Sequence, residues 1–200
     1  QRRVAVVLGA QVFRDPGLQR RRLKRLEPQI ELTVGLYLEP QKTAYFYVDQ
    51  QPRDDTYFHE VTHQLFSETG RVAPGVGVEA NAWIIEGVAM YMESLRRRSG
   101  YYTAGGSDAN RLQFARYRTR NQGSYLPLEQ LAALGRRALQ QHEDIRRLYS
   151  QSAGLTAFLM DYEHGRYRRA LVEDGIRTRD VGGTASTAQF GDAVAHRVAA

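Results

Sequence analysis

His59-Glu60-Val61-Thr62-His63 sets two histidines four residues apart, with a glutamate directly after the first. On a helix, positions i and i+4 share one face about 6 Å apart along the axis, at about 1.5 Å rise per residue. Both imidazoles then reach one metal ion, and Glu60 stands beside its open coordination position. This is H-E-x-x-H, the sequence form of a zinc hydrolase site. The chain has only five histidines, which makes a chance match uncommon. The plainer alternative is two helix histidines flanking a solvated glutamate.

The rest of the chain bounds what such a site can belong to. Two hundred residues at 42% hydrophobic content suffice for one compact domain, with room for two lobes around a cleft. The absence of cysteine excludes a disulfide framework, a Cys-ligated zinc and a thiol nucleophile. No apolar run reaches the length of a membrane span. The chain begins Gln1-Arg2-Arg3 without a methionine, which leaves room for a trimmed leader. The net charge of +6 is carried almost wholly by arginine, since Lys24 and Lys42 are the only lysines. Basic clusters at 20–25 and 96–98, and arginine pairs at 136–137, 146–147 and 168–169, read first as solvated helix faces. Clustered arginine also attracts phosphate, but no nucleic-acid module accompanies it, so no nucleic-acid partner is expected.

Strand-type runs come first. Residues 4–8 form a short apolar run, and residues 19–26 read as a basic connector or short helix. Thr33-Val34-Gly35-Leu36-Tyr37-Leu38 and Thr43-Ala44-Tyr45-Phe46-Tyr47-Val48 are β-prone, and Glu39-Pro40-Gln41-Lys42 between them marks a hairpin. Asp54 or Asp55 is placed to cap a helix over about residues 56–68, which carries the histidine motif. Gly70 ends it, and Pro74, Gly75 and Gly77 mark an irregular loop. Helices are expected at 81–98, 109–120, 127–134 and 143–161, then at 166–180 and 187–198, with a Gly-rich turn at 100–108. Ile145, Leu148, Leu155, Phe158 and Leu159 supply an apolar stripe on the longest of these. Strands followed by helices argue an α+β fold. There is no internal repeat, and residues 1–200 are expected to form a single catalytic domain. Its β-rich part spans 1–55, its zinc-site helices 56–98 and its helical lobe 99–200.

Catalytic zinc needs three protein ligands and an exchangeable water. A metzincin continuation, H-E-x-x-H-x-x-G-x-x-H, fails at Phe66 and Thr69. His142, His164 and His196 lie scattered among charged residues and read as surface histidines. A carboxylate from the next helix remains. Glu86, within Trp83-Ile84-Ile85-Glu86-Gly87-Val88, would be costly in that apolar setting unless a metal or donor met it. A polar stripe on an amphipathic helix is the alternative, and Glu93, two turns on, reads equally as a surface acid.

These residues resemble the gluzincin metallopeptidases. Glu86-Gly-x-Ala-x-Tyr-x-Glu93 is similar to the segment after the zinc helix in the aminopeptidase-N family. That likeness implies Glu86 as third zinc ligand and Glu93 as acceptor for an imidazole N–H. Leu148-Tyr149-Ser150-Gln151-Ser152-Ala153-Gly154 is similar to that family's tyrosine-bearing segment, which implies Tyr149 as a hydrogen-bond donor to the tetrahedral oxyanion. The hairpin before the zinc helix matches the edge strand that thermolysin-like and aminopeptidase-like enzymes offer to an extended substrate, here Gly35, Leu36 and Tyr37. No Gly-x-Met-Glu-Asn stretch is present, and the spacing from His63 to Glu86 is slightly longer than usual. The layout over residues 34–171 most resembles the peptidase-MA-like domains of the gluzincin clan. They share a hairpin, H-E-x-x-H-Q-L, an E-G-x-A-x-Y helix and a late Tyr-Ser-Gln-Ser helix.

The resemblance implies a zincin-like α+β domain holding one Zn2+ and hydrolysing a peptide or protein substrate, with Glu60 as general base. It also allows a secreted or extracytoplasmic location. The rival expectation is a zinc-binding scaffold that has lost its substrate.

Overall fold

The β-prone runs around the Glu39-Pro40 turn pair as expected. In the computed structural model, which describes residues 9–26, 35–47, 54–68, 77–123 and 125–167, strand β2 is Gly35–Leu38 and strand β3 is Thr43–Tyr47. They pair antiparallel, with Gly35 opposite Phe46 and Leu38 opposite Thr43. A single 3-10 turn, Glu39–Gln41, joins them, and Lys42 closes it at φ 47 with its N–H on the Glu39 carbonyl. Strand β1, Gly9–Phe13, adds parallel to β3, so among the described residues the order is β1-β3-β2 and β2 is an edge. The expected strand at 4–8, the loop over 70–75 and most of the two last helices lie outside the described residues.

The chain divides into two compact units, residues 1–71 and 72–200. In the first, β3 is the core strand, with Ala44, Tyr45 and Phe46 buried. Helix α1, Pro16–Leu26, lies against β1 and β3 and buries Gln19 and Leu23, one turn apart. Helix α2, Asp54–Glu68, covers β2 and β3 and sets Tyr57 against the Phe46 ring at 4.5 Å. The Asp55 carboxylate accepts the Thr56 N–H at 2.9 Å in the first turn of α2. Deeper along the helix, the fully buried Gln64 donates its amide to the Gly9 carbonyl (3.1 Å), the Lys42 carbonyl (3.3 Å) and Glu68 Oε1 (2.9 Å). One side chain thereby ties the helix to the starts of β1 and β3.

Among its described residues, the second unit is helical apart from one small hairpin. Helix α3 is Ala82–Met92, and the helix expected to run to residue 98 ends there. Arg96–Arg98 is instead strand β4, paired antiparallel with β5, Tyr101–Thr103. The cause is local. Ser94 Oγ donates to the Tyr91 carbonyl and accepts the Gly105 N–H at 2.6 Å, while Gly100 at φ 82 turns the β-prone Tyr101-Tyr102-Thr103 back along the arginines. Helix α4 (Asn110–Gln122), helix α5 (Leu128–Ala133) and helix α7 (Ile145–Asp161) match the expected helices closely. The short helix α6, Arg136–Gln140, was not among them. Helix α7 packs against both α3 and α4. The apolar stripe expected on α7 is only partly buried, since Phe158 is 38% exposed while Leu148 and Leu159 are buried. Leu148 and Leu159 join Trp83, Leu131, Leu139 and Tyr167 in the core cluster. Together these elements make an α+β fold, with a small mixed sheet packed on helices followed by a mainly helical part. Among the described residues, no helix is long and apolar enough to cross a membrane.

Candidate metal centre

Helix α2 places His59 and His63 one turn apart with their rings edge to face, centroids 4.8 Å apart. Their Nε2 atoms stand 3.1 Å from one another. Two nitrogens each about 2.0–2.1 Å from a tetrahedral zinc would lie about 3.3 Å apart, so the pair fits one ion. The ligand atoms of His59, His63 and Glu86 all lie within 4.8 Å of one another. This group resembles an H-x-x-x-H…E zinc site and is a candidate for holding one metal ion. Two neutral imidazoles and a carboxylate are a donor set suited to zinc.

Local structure explains each position. Glu60 is turned from the histidine stripe toward the sheet and is buried. Its Oε2 accepts the backbone N–H of Tyr37 at 2.9 Å. Gly35 supplies the room. A Cβ there would stand 2.7 Å from Thr56 Cγ2 and 2.8 Å from Glu60 Cγ. Thr62, between the histidines, returns its hydroxyl to the Phe58 carbonyl at 2.6 Å and keeps its polar atom inside the helix.

Glu86, 9% exposed, sits one turn into α3. The start of that helix is fixed by neighbours rather than by a side-chain cap. Asn81 takes a left-handed conformation (φ 58), its N–H reaches the Ala132 carbonyl, and the Ala82 N–H reaches the Leu134 carbonyl. Those carbonyls close α5, so its end satisfies donors that α3 would otherwise leave orphaned.

Glu93 follows the last turn of α3, and both of its oxygens meet Arg111, at 2.7 and 2.9 Å. Tyr149 lies on α7, half-buried and packed on the core cluster. The residues around it are held firmly. Gln151 makes a two-bond pair with the Leu126 backbone, and Ser152 donates to the Leu148 carbonyl. His142 accepts the Asp144 N–H on Nδ1, His164 is exposed, and His196 lies outside the described residues.

Tyr37 closes the outer side of the α2–β2 contact. Its hydroxyl donates to Glu68 Oε1 at 3.4 Å. Burial holds its phenol above the ordinary value of about 10; a hydrogen bond with Ser67 opposes this, and the nearby Glu68 and Glu39 carboxylates reinforce it. Two contributions escaped the sequence reading: the clamp made by Gln64 and the wall that Thr56 gives to Glu60. Their only trace is spacing, since Thr56, Glu60, Gln64 and Glu68 recur every four residues as a polar stripe on a helix that must cover a sheet.

No protein-family model matches the chain, and no curated protein matches it.

Proposed function

We propose that this protein is a zinc-dependent peptidase of gluzincin type. His59, His63 and Glu86 would hold the ion. The observation that carries the reading is the convergence of the two Nε2 atoms at 3.1 Å, within one group with the buried Glu86. Zinc, when bound, supplies a Lewis acid that polarises a carbonyl and brings the pKa of water to about 7. Glu60, beside the ligands but outside the ligand set, takes the proton from the attacking water and returns it to the departing amine. Tyr149 donates its phenol hydrogen to the developing oxyanion. Among the described residues strand β2 stands at the edge of its sheet, which supports an extended peptide lying along it. Glu93, gripped by Arg111, would accept an imidazole N–H of the histidine pair and so fix the ring. The reading covers the chain as one catalytic domain, and a location outside the cytoplasm belongs to it.

The test is a fluorescence-quenched peptide library offered to zinc-loaded protein with and without chelator. Chelator-sensitive cleavage that Glu60→Gln abolishes while retaining zinc is the expected result. Full activity in Glu60→Gln removes the proposed base. Stoichiometric zinc without cleavage of any peptide leaves a zinc-binding scaffold instead.

A further inference from the structure

Among the described residues, strand β2 has a sheet neighbour on one side only, yet its outward donor at position 37 is not left to a partner strand. The Tyr37 N–H points away from β3 and meets Glu60 Oε2 at 2.9 Å. Backbone groups alternate along an antiparallel strand, so the peptide groups of Gly35 face the same way. There the strand lies so close to α2 that a methyl group would overlap both Thr56 Cγ2 and Glu60 Cγ. A donor on one side and a missing side chain on the other define where the Glu60 carboxylate sits.

We propose that β2 positions the general base: the Tyr37 N–H anchors Oε2 of Glu60, and the bare Cα of Gly35 gives the carboxylate its seat. This rests on the hydrolase reading above. A substrate carbonyl and the Glu60 carboxylate compete for one N–H, and the charged acceptor makes the stronger bond. Tyr37 therefore serves the base. Tyr37 and Gly35 are positioning residues. Neither touches the reacting atoms.

The first measurement needs no turnover. Amide hydrogen exchange at Tyr37 is expected to be slow in the metal-free wild type and at least about tenfold faster in Glu60→Ala, because an outward edge-strand N–H without an acceptor is open to water. An equal rate in the two proteins overturns the cradle. The second compares Tyr37→Pro with Tyr37→Ala. Both lose the ring, but only proline loses the N–H, and proline is tolerated on an edge strand where the N–H faces away from the sheet. The kcat of the zinc-loaded Pro variant is expected to fall on the order of 100-fold below that of the Ala variant, with KM and zinc affinity alike in the two. A raised KM with kcat kept assigns the N–H to substrate and overturns the proposal, as does equality of the two variants. Should Tyr37→Pro not fold, Gly35→Ala carries the test, with the same loss of kcat and unchanged zinc affinity expected. Wild-type kcat in Gly35→Ala overturns the proposal. Zinc-loaded wild type that cleaves nothing removes the reaction and the cradle's purpose with it. Cleavage combined with an unprotected Tyr37 amide removes the cradle alone.

Discussion

Gly87 on α3 lies so close to Thr156 on α7 that a Cβ at position 87 would overlap the threonine hydroxyl. The same Cβ would stand 2.9 Å from the Ser152 carbonyl oxygen, a backbone atom with little freedom to move. This is why glycine follows Glu86. The helix that carries the carboxylate touches α7 through a position without a side chain. Gly87→Ala gains about 1 kcal/mol of helix propensity but meets an overpacking cost of about 1–3 kcal/mol. A net loss of stability in urea unfolding is expected, with weaker zinc binding because Glu86 shifts with its helix. A variant as stable as wild type with unchanged zinc affinity would show that α3 and α7 have slack at this crossing.

The motif was legible because its chemistry depends on helical spacing alone. H-E-x-x-H brings two histidines and a glutamate together within five residues, and α2 forms where the motif and the aspartates before it place a helix. The hairpin was equally legible, because Pro40 and the β-prone runs on either side of it permit few alternatives. What the sequence concealed depends on contacts distant in the chain. Arg96–Arg98 looks like a helix end, and only the link from Ser94 to Gly105 with the turn at Gly100 makes it a strand. Gln64 looks like a solvated helix residue until β1 and β3 present carbonyls to it. Arg111, eighteen positions on from Glu93, meets both of its oxygens, a contact that motif spacing does not reveal.

Removal of one histidine tests the donor set directly. His63→Ala leaves one nitrogen where two stood 3.1 Å apart. Metal analysis after dialysis is expected to give one zinc per wild-type chain and none in the variant. Wild type with free zinc at about 1,000 times Kd should gain about 4 kcal/mol in unfolding free energy, and the variant should gain nothing. Equal zinc stabilisation of both proteins would place the metal elsewhere in the chain.

Alkaline pH should weaken the contact of α2 with β2. The phenol of Tyr37 is held above its ordinary value, mainly by burial. Below about pH 10 the folded and unfolded chains both keep the proton, and this contribution to stability is fully present. As the pH rises further, the unfolded chain ionises first, so stability falls until the folded-state value is passed. Wild type should therefore lose unfolding free energy faster than Tyr37→Phe over that alkaline range, measured in urea at closely spaced pH values. Parallel slopes for the two proteins would mean the phenol is as solvated in the folded chain as in the unfolded one.

Tyr149 tests whether α7 takes part in chemistry or only in packing. It stands three, four and seven residues before Ser152, Ala153 and Thr156, on the stripe of α7 that meets α3. Its ring packs on the apolar cluster, so phenylalanine keeps the contact and removes only the hydroxyl. Loss of one hydrogen bond costs about 1 kcal/mol of stability, and zinc content should not change. A donor to the oxyanion is worth far more in the transition state, and its removal lowers kcat by about 10²–10³ while KM holds. Steady-state kinetics on a peptide cleaved by the wild type separate the two roles. If Tyr149→Phe turns over at the wild-type rate, the phenol is a packing residue and the oxyanion is stabilised without it.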